Sequence, residues 1–260
     1  MSDEGSLRER LIDVGVELVL TEGTASVGLR EIARRAGVSH GAPRRYFPTH
    51  HALLSAIARR GFEDLGARYL ATVEGLTEPR AQVAAFARLY VGYAQERRGM
   101  FELMFRHDLL DSSQEPTDRP RLRTSTLPLF EHLALLVGRC RTRPADPNGA
   151  TPSPSATAAA LWANLHGIAQ LWAWGSLQLV LGAAPAEPNG APAALPELPG
   201  MPGLLGLSGL LGPAADPGAV DDTGAAGRTA DAGRPSPAAS AQLDRLVTAV
   251  LDAHLGPAAT

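Results

Sequence analysis

The sequence predicts an all-α protein, and three observations carry that expectation. Apolar residues recur at spacings of three and four through most of the chain. No segment shows sustained two-residue alternation of β-branched side chains, as strands would require. Glycine or proline falls where the apolar stripes end, which is where helices stop. At 260 residues and 45% apolar composition, the chain can bury a substantial core.

Each element follows from these signals in order. Leu7, Leu11, Val14 and Leu18 form one stripe and place a first helix over 6–22, closed by Gly23. A short second helix covers about 29–36. Gly28 stands at its N-cap, Glu31 at the third position where a carboxylate meets exposed amides, and Gly37 at its end. A third covers about 40–46. Pro48 and Thr49 open a long helix over 50–74, with Leu54, Ile57, Phe62, Leu65, Tyr69 and Val73 on its buried side. Glu78-Pro79 starts the next, to about Arg98, which buries Val83, Phe86, Ala87, Tyr90, Val91 and Ala94. Residues 100–110 read as a short, very apolar helix. Another runs to about Arg141 and either starts near Thr126 or kinks at Pro128. A loop over 142–154 leads to an uncharged helix over about 155–181. Residues 183–239 are rich in Pro, Gly and Ala without a period and read as a flexible insertion. Ser240 is a plausible cap for a last helix, which Gly256-Pro257 closes.

The net charge of −3 does not by itself suggest a polyanionic partner, but local charge is what a phosphate feels. Between residues 30 and 51 five arginines (30, 34, 35, 44 and 45) face one acid, Glu31, an excess of +4, with His40, His50 and His51 beside them. The single cysteine, Cys140, excludes an internal disulfide framework and suits a reducing, cytoplasmic setting, where it serves as a small buried hydrophobe. The N-terminal stretch MSDEGSLRERL lacks the apolar core of a secretory signal. Residues 156–182 are long enough to span a bilayer. Asn164, His166, Gln170, Ser176 and Gln178 interrupt them on several faces, so burial within a bundle or dimer is the expected state. His166 has no partnered acid or nucleophile at a recognisable spacing, and the adjacent His50 and His51 cannot share a helix face. Catalytic and metal readings are therefore poor, and no cofactor is expected.

The segment GLREIARRAGVSHGAPRRYF, residues 28–47, meets the physical needs of a helix-turn-helix. Two helices that cross steeply need a small residue at the crossing, and Ala33 supplies it. The turn needs a left-handed backbone four residues on, and Gly37 adopts one without steric cost. Ile32, Ala36, Val38 and Tyr46 fall at offsets that lock the pair onto a supporting helix. Ser39, His40, Gly41, Arg44 and Arg45 are then left to face a groove, and Pro43 is tolerable only near the first turn.

A leading helix, then LREIARRAGVSHGAPRRYFPTHHALL, then a long helix resembles the N-terminal domain of TetR-type (tetracycline-repressor-like) transcriptional regulators over about residues 6–60. Further on, LWANLHGIAQLWAWG is similar to the Trp-His-Gly pattern of one TetR C-terminal subclass, at Trp162, His166 and Gly167. The resemblance implies a helix-turn-helix domain over 1–48. It implies a larger helical bundle over 49–260 that forms a ligand cavity and a dimer interface, interrupted by the insertion at 183–239. It implies a cytoplasmic homodimer, not bound to a membrane, on a near-palindromic double-stranded DNA operator. A small hydrophobic effector would release this repressor; the alternative is control by a protein partner. Carried over by position, Gly28 and Arg30 would approach phosphates, Ser39, His40, Gly41, Ala42, Arg44 and Arg45 would face the groove, and Tyr46 would support or touch the backbone. Two positions depart from the family pattern: Arg44 replaces a common Tyr and favours guanine readout, and His50 replaces a common phosphate-binding Lys. The matching effector positions are Phe101, Met104, Phe105 and His107 on the short helix and Trp162, His166 and Trp172 on the uncharged one, a lining suited to an apolar or aromatic molecule.

Overall fold

A computed structural model describes residues 2–106, 110, 122–140, 152–182 and 237–258. The chain divides into two compact units, Met1–Leu179 with Gly233–Thr260, and Val180–Ala232. The expected insertion at 183–239 lies outside the described residues except for its last three, and so does His107. Every described element is helical: α1 (Ser2–Glu22), a 3-10 turn (Thr24–Ser26), α2 (Leu29–Arg35), α3 (Ala42–Tyr46), α4 (His50–Val73) and α5 (Pro79–Glu96). There follow α6 (Arg98–Met104), α7 (Leu122–Cys140), α8 (Pro154–Ala173), α9 (Ser176–Gly182) and α10 (Pro237–Leu255).

Capping chemistry sets the starts of the long helices. The Thr49 hydroxyl accepts from the Ala52 amide at 3.0 Å and opens α4. The Glu78 carboxylate accepts from the amides of Arg80 and Ala81, with Pro79 in the first turn of α5, and Ser153 does the same for α8 through Ala156. α10 begins at Pro237, three residues before the expected Ser240 cap, because a proline in the first turn loses no helical hydrogen bond. Pro128 lies inside α7, whose start at Leu122 precedes the expected Thr126.

Two boundaries differ from expectation for physical reasons. A helix starting at His40 would put Pro43 where its amide must bond the carbonyl of residue 39. Proline has no amide hydrogen, so α3 starts at Ala42, with Gly41 as N-cap and Pro43 in the first turn. Ser39 and His40 therefore sit in the turn, where the Ser39 carbonyl accepts from the Ala42 amide at 3.0 Å. The second difference is the uncharged helix, which is two helices, α8 and α9. Gly175 takes φ +78°, the amides of Trp174 and Gly175 bond the carbonyls of Gln170 and Trp172, and the Gln178 amide also donates to Trp172 at 3.0 Å. Among the described residues no helix is long and apolar enough to cross a membrane.

The core has two neighbouring foci in the first unit. Leu11, Leu18, Ile32, Leu53 and Ile57 are fully buried where α1, α2 and α4 meet. Gly15 permits the α1–α4 approach: a Cβ there would lie 2.4 Å from Ile57 Cδ1. Tyr90, Leu103, Leu136, Val137, Leu161 and Leu165 are buried where α5, α6, α7 and α8 meet, and Val247 and Leu251 seat α10 on α5 and α8. α6 joins the two foci, because it packs against α1, α4 and α5 together. At its start, a Cβ on Gly99 would stand 2.4 Å from the Val19 carbonyl oxygen.

Candidate functional site

The α2–turn–α3 unit has the geometry that the spacing implies. Gly37 sits at φ +68°; the Gly37 amide bonds the Arg34 carbonyl at 3.2 Å and the Val38 amide bonds the Ala33 carbonyl at 3.0 Å. These two bonds close α2 and fix the direction in which the chain leaves it. Ile32 and Ala33 are fully buried at the crossing and Pro43 is buried beneath α3. Tyr46 is half-buried, between core and surface.

Tertiary structure sorts the five arginines of the basic cluster into two groups. Arg34 donates from Nε and Nη2 to Glu31 at 2.9 and 2.6 Å; Arg35 donates to Glu31 at 2.7 Å and to Glu22 of α1. The two guanidinium groups hold the Glu31 carboxyl down to about 2. Glu31 therefore ties α2 internally, and Arg35 joins α2 to α1. Arg30, Arg44 and Arg45 are exposed and have no ion-pair partner among the described residues. The sequence excess of +4 thus reduces to three uncommitted arginines. Gly28 (φ −108°) and Gly41 (φ −84°) have backbones that any residue could adopt and open space where a Cβ would stand. Both are helix N-caps, a position that glycine favours. Ser39, His40 and Gly41 are exposed and Ala42 is half-buried.

His50 is tethered. Its Nε2 lies 2.5 Å from the Val27 carbonyl oxygen, so that nitrogen carries the proton and donates. A neutral His50 then presents only the Nδ1 lone pair elsewhere, and only the imidazolium has a second N–H to offer an anion.

Of the expected effector residues, the structure brings four together. Phe101 stacks on His166 (centroids 5.4 Å apart, planes at 26°), Phe105 meets His166 edge-on at 4.8 Å, and Trp162 lies 5.8 Å from His166. Met104 is fully buried in the adjoining core. Trp172 is buried on another side of α8 and makes none of these ring contacts. The hub of the cluster is Tyr90, which the sequence marks only as one more apolar position of α5. Its oxygen accepts from Trp162 Nε1 at 3.0 Å and lies 2.9 Å from His166 Nδ1. The buried Tyr90 hydroxyl already accepts from the indole and still has its own proton to place. Among the described hydrogen bonds His166 Nδ1 is the acceptor within its reach, which assigns the onward donation to Tyr90. His166 is then the neutral tautomer protonated at Nε2. Burial pushes the Tyr90 hydroxyl up and pulls the His166 imidazole down, so both stay uncharged. The available signal was that a buried tyrosine needs a polar partner, here 72 and 76 residues away.

One stability prediction follows from His166. Its folded-state affinity for a proton lies below the ordinary value of 6.5, so the unfolded chain binds the proton more readily. This contribution is fully present above 6.5 and is lost as pH falls below it. Thermal melts between about pH 8 and about pH 5 should show a decline that is shallower in His166→Gln. Equal slopes in the two proteins would assign the decline to other groups.

An N-terminal helix-turn-helix with an exposed arginine set, carried by a helical bundle with an aromatic core, defines a DNA-binding regulatory architecture. Comparison with known proteins agrees. A family model described as bacterial regulatory proteins, tetR family, matches residues 11–57, and a second, tetracyclin repressor-like, C-terminal domain, matches residues 83–187. The chain belongs to the TetR family. The HTH-type transcriptional regulator BetI of Rhizobium meliloti is 33% identical over 82 residues, 32% of this chain and 40% of that protein. An uncharacterized HTH-type transcriptional regulator of Mycobacterium tuberculosis is 32% identical over 71 residues, 27% of this chain and 35% of its own length. The chain therefore spans well under half the length of these curated relatives. A solved structure of a Rhodococcus sp. RHA1 protein of unknown function is 30% identical with a TM-score of 0.54, over 67% of this chain and 86% of that one.

Proposed function

We propose that this protein is a sequence-specific, DNA-binding transcriptional repressor that acts as a cytoplasmic homodimer, and that a small hydrophobic effector releases it from its operator. The observation that carries the proposal is the division of the arginines: Arg34 and Arg35 are held by acids, while Arg30, Arg44 and Arg45 stand exposed on the helix-turn-helix. Residues 1–48 are the reading head, and 49–260 hold the effector and the partner subunit. Arg30 meets a phosphate beside Gly28. Arg44 and Arg45 read base edges, with Ser39, His40, Gly41 and Ala42 at the groove and Tyr46 at the backbone. His50 adds a phosphate contact when protonated. Leu171 on α8, Trp174 in the turn after it and Leu179 on α9, 40%, 65% and 75% exposed, are the apolar surface that a second copy would cover. Phe101, Phe105, Trp162 and His166, with Met104 in the adjoining core, form the cluster that senses the effector, and Trp172 acts from another side of α8.

Footprinting on the DNA that flanks its own gene, with a salt titration, tests the proposal. Affinity should fall steeply as salt rises, because bound arginines displace counterions. Arg30→Ala should reduce the magnitude of the log–log salt slope by about 0.9 for each phosphate that it no longer neutralises, and weaken all sequences alike. Salt-independent binding, or no protected site, would refute a DNA-reading role.

A further inference from the structure

A cavity lies one layer away from the aromatic cluster. It occupies about 210 Å³ between α4, α5 and α7. Tyr69, Phe86, His132 and several leucines, among them the buried Leu133 and Leu136, line it. None of the described residues expected from sequence to bind an effector (Phe101, Met104, Phe105, Trp162, His166 and Trp172) lines it. Among the described lining residues its polar side chains are one pair: the Tyr69 hydroxyl lies 3.2 Å from His132 Nε2. If tyrosine donates, His132 keeps an Nδ1–H; if histidine donates, Tyr69 keeps its O–H. Either way the pair has one donor left over, plus oxygen or nitrogen lone pairs.

We propose that this cleft binds a neutral molecule of one or two fused rings that carries a hydroxyl or carbonyl oxygen, with the rings between Phe86 and the leucines and the oxygen at the Tyr69–His132 pair. Size supports the ring count, since an apolar cavity of about 150 Å³ accommodates a single benzene ring. Charge supports neutrality. Among the described residues no Arg, Asp or Glu lines the cleft, so a carboxylate or an ammonium would lose hydration there without an arginine or acidic counter-ion. Burial raises the Tyr69 hydroxyl, which keeps that group protonated and uncharged. The cleft also touches the cluster described above: Phe86 meets Tyr69 edge-on at 5.5 Å and lies 5.7 Å from Tyr90, whose ring contacts Phe101 of α6 and Phe105 just after it. A ligand there would press on the helix that abuts α1. This effector role rests on the repressor function proposed above; the ligand chemistry does not.

Gly66 provides a clean test, because it lines the cleft from inside α4 and a Cβ there would meet Leu129 Cδ1 at an ordinary 3.7 Å. Gly66→Leu extends a side chain into the cavity and replaces a helix-interior glycine with a better helix former, so the fold should keep its melting temperature. Binding of 2-naphthol, naphthalene, 2-naphthoate and 2-naphthylmethylammonium to the full-length protein would be followed by fluorescence and calorimetry. The wild type should bind 2-naphthol about tenfold more tightly than naphthalene. It should bind each charged analogue at least about a hundredfold more weakly. Gly66→Leu should lose naphthol binding, and the double variant Tyr69→Phe/His132→Phe should bind the two neutral probes equally. Absence of naphthol binding by the wild type, as expected if a side chain of this or a second copy fills the cleft, would overturn the proposal. So would equal binding of the charged analogues, or undiminished binding by folded Gly66→Leu. Naphthol binding that leaves operator affinity unchanged would uphold the cleft's chemistry and refute its effector role.

Discussion

Replacing Arg44 and Arg45 together by alanine should leave a folded protein that no longer distinguishes its operator from unrelated DNA. Both side chains are exposed on α3, and neither has an ion-pair partner among the described residues, so the substitutions break no salt bridge there. A guanidinium paired to the O6 and N7 of guanine discriminates against a wrong base by about 1–3 kcal/mol. Two such losses per protomer, repeated in a dimer, exceed what the remaining phosphate contacts recover. The single variants should each relax preference at one base pair, with Arg44→Ala the more diagnostic because arginine at that position departs from the family pattern. Gel-shift titrations on operator and scrambled DNA at matched salt would check this. Retained discrimination in the double variant would move base reading elsewhere on the protein. Arg34→Ala is the informative contrast. Arg34 is bound to Glu31, and its removal should leave sequence preference unaltered.

Gly99→Ala should have the largest effect on coupling between the two halves of the first unit. The new methyl would stand 2.4 Å from the Val19 carbonyl oxygen and 3.4 Å from Gly23 Cα. Both are backbone atoms near the end of α1, so no flexible side chain can yield. α6 or α1 must move. Overpacking of this kind costs about 1–3 kcal/mol. In a domain of this size that lowers the melting temperature by roughly 2–4 °C per kcal/mol. Because α1 is also tied to α2 through Glu22 and Arg35, its displacement reaches the reading head. DNA affinity should therefore fall although Gly99 lies outside the DNA-facing helices. Gly61→Ala is the control: its Cβ would meet the thioether ends of Met100 and Met104, which can rotate away, so its penalty should be smaller. Equal melting temperatures and equal DNA affinity for Gly99→Ala and wild type would show that the α1–α6 contact is dispensable.

The helices and the reading head were legible from sequence because their determinants are local. The left-handed turn needs a glycine at one position, and Gly37 is that glycine. Caps and stripes report on neighbours one turn away, so Thr49 and Glu78 mark helix starts correctly. The break between α8 and α9 had the same kind of signal in Gly175, but a long uncharged stretch of 155–181 masks it. A glycine inside an apolar run is tolerated in many helices and decides nothing without its φ angle.

Contacts between distant segments were not legible. Glu22 lies thirteen residues from Arg35, and only packing of α1 on α2 shows that Arg35 is committed and Arg44 is not. Tyr90 becomes a hub because α8 brings Trp162 and His166 to its hydroxyl. The aromatic residues of α6 and α8, expected to line a cavity, touch one another, whereas an open cleft lies between α4, α5 and α7. Periodicity says which side chains turn inward; it does not say which of them meet, or where they fail to fill space. Sequence alone thus determined an all-α chain with a helix-turn-helix and a basic face. Tertiary structure decided which charges on that face are free, which polar groups are buried together and where a ligand has room, since each depends on side chains that distance along the chain does not relate.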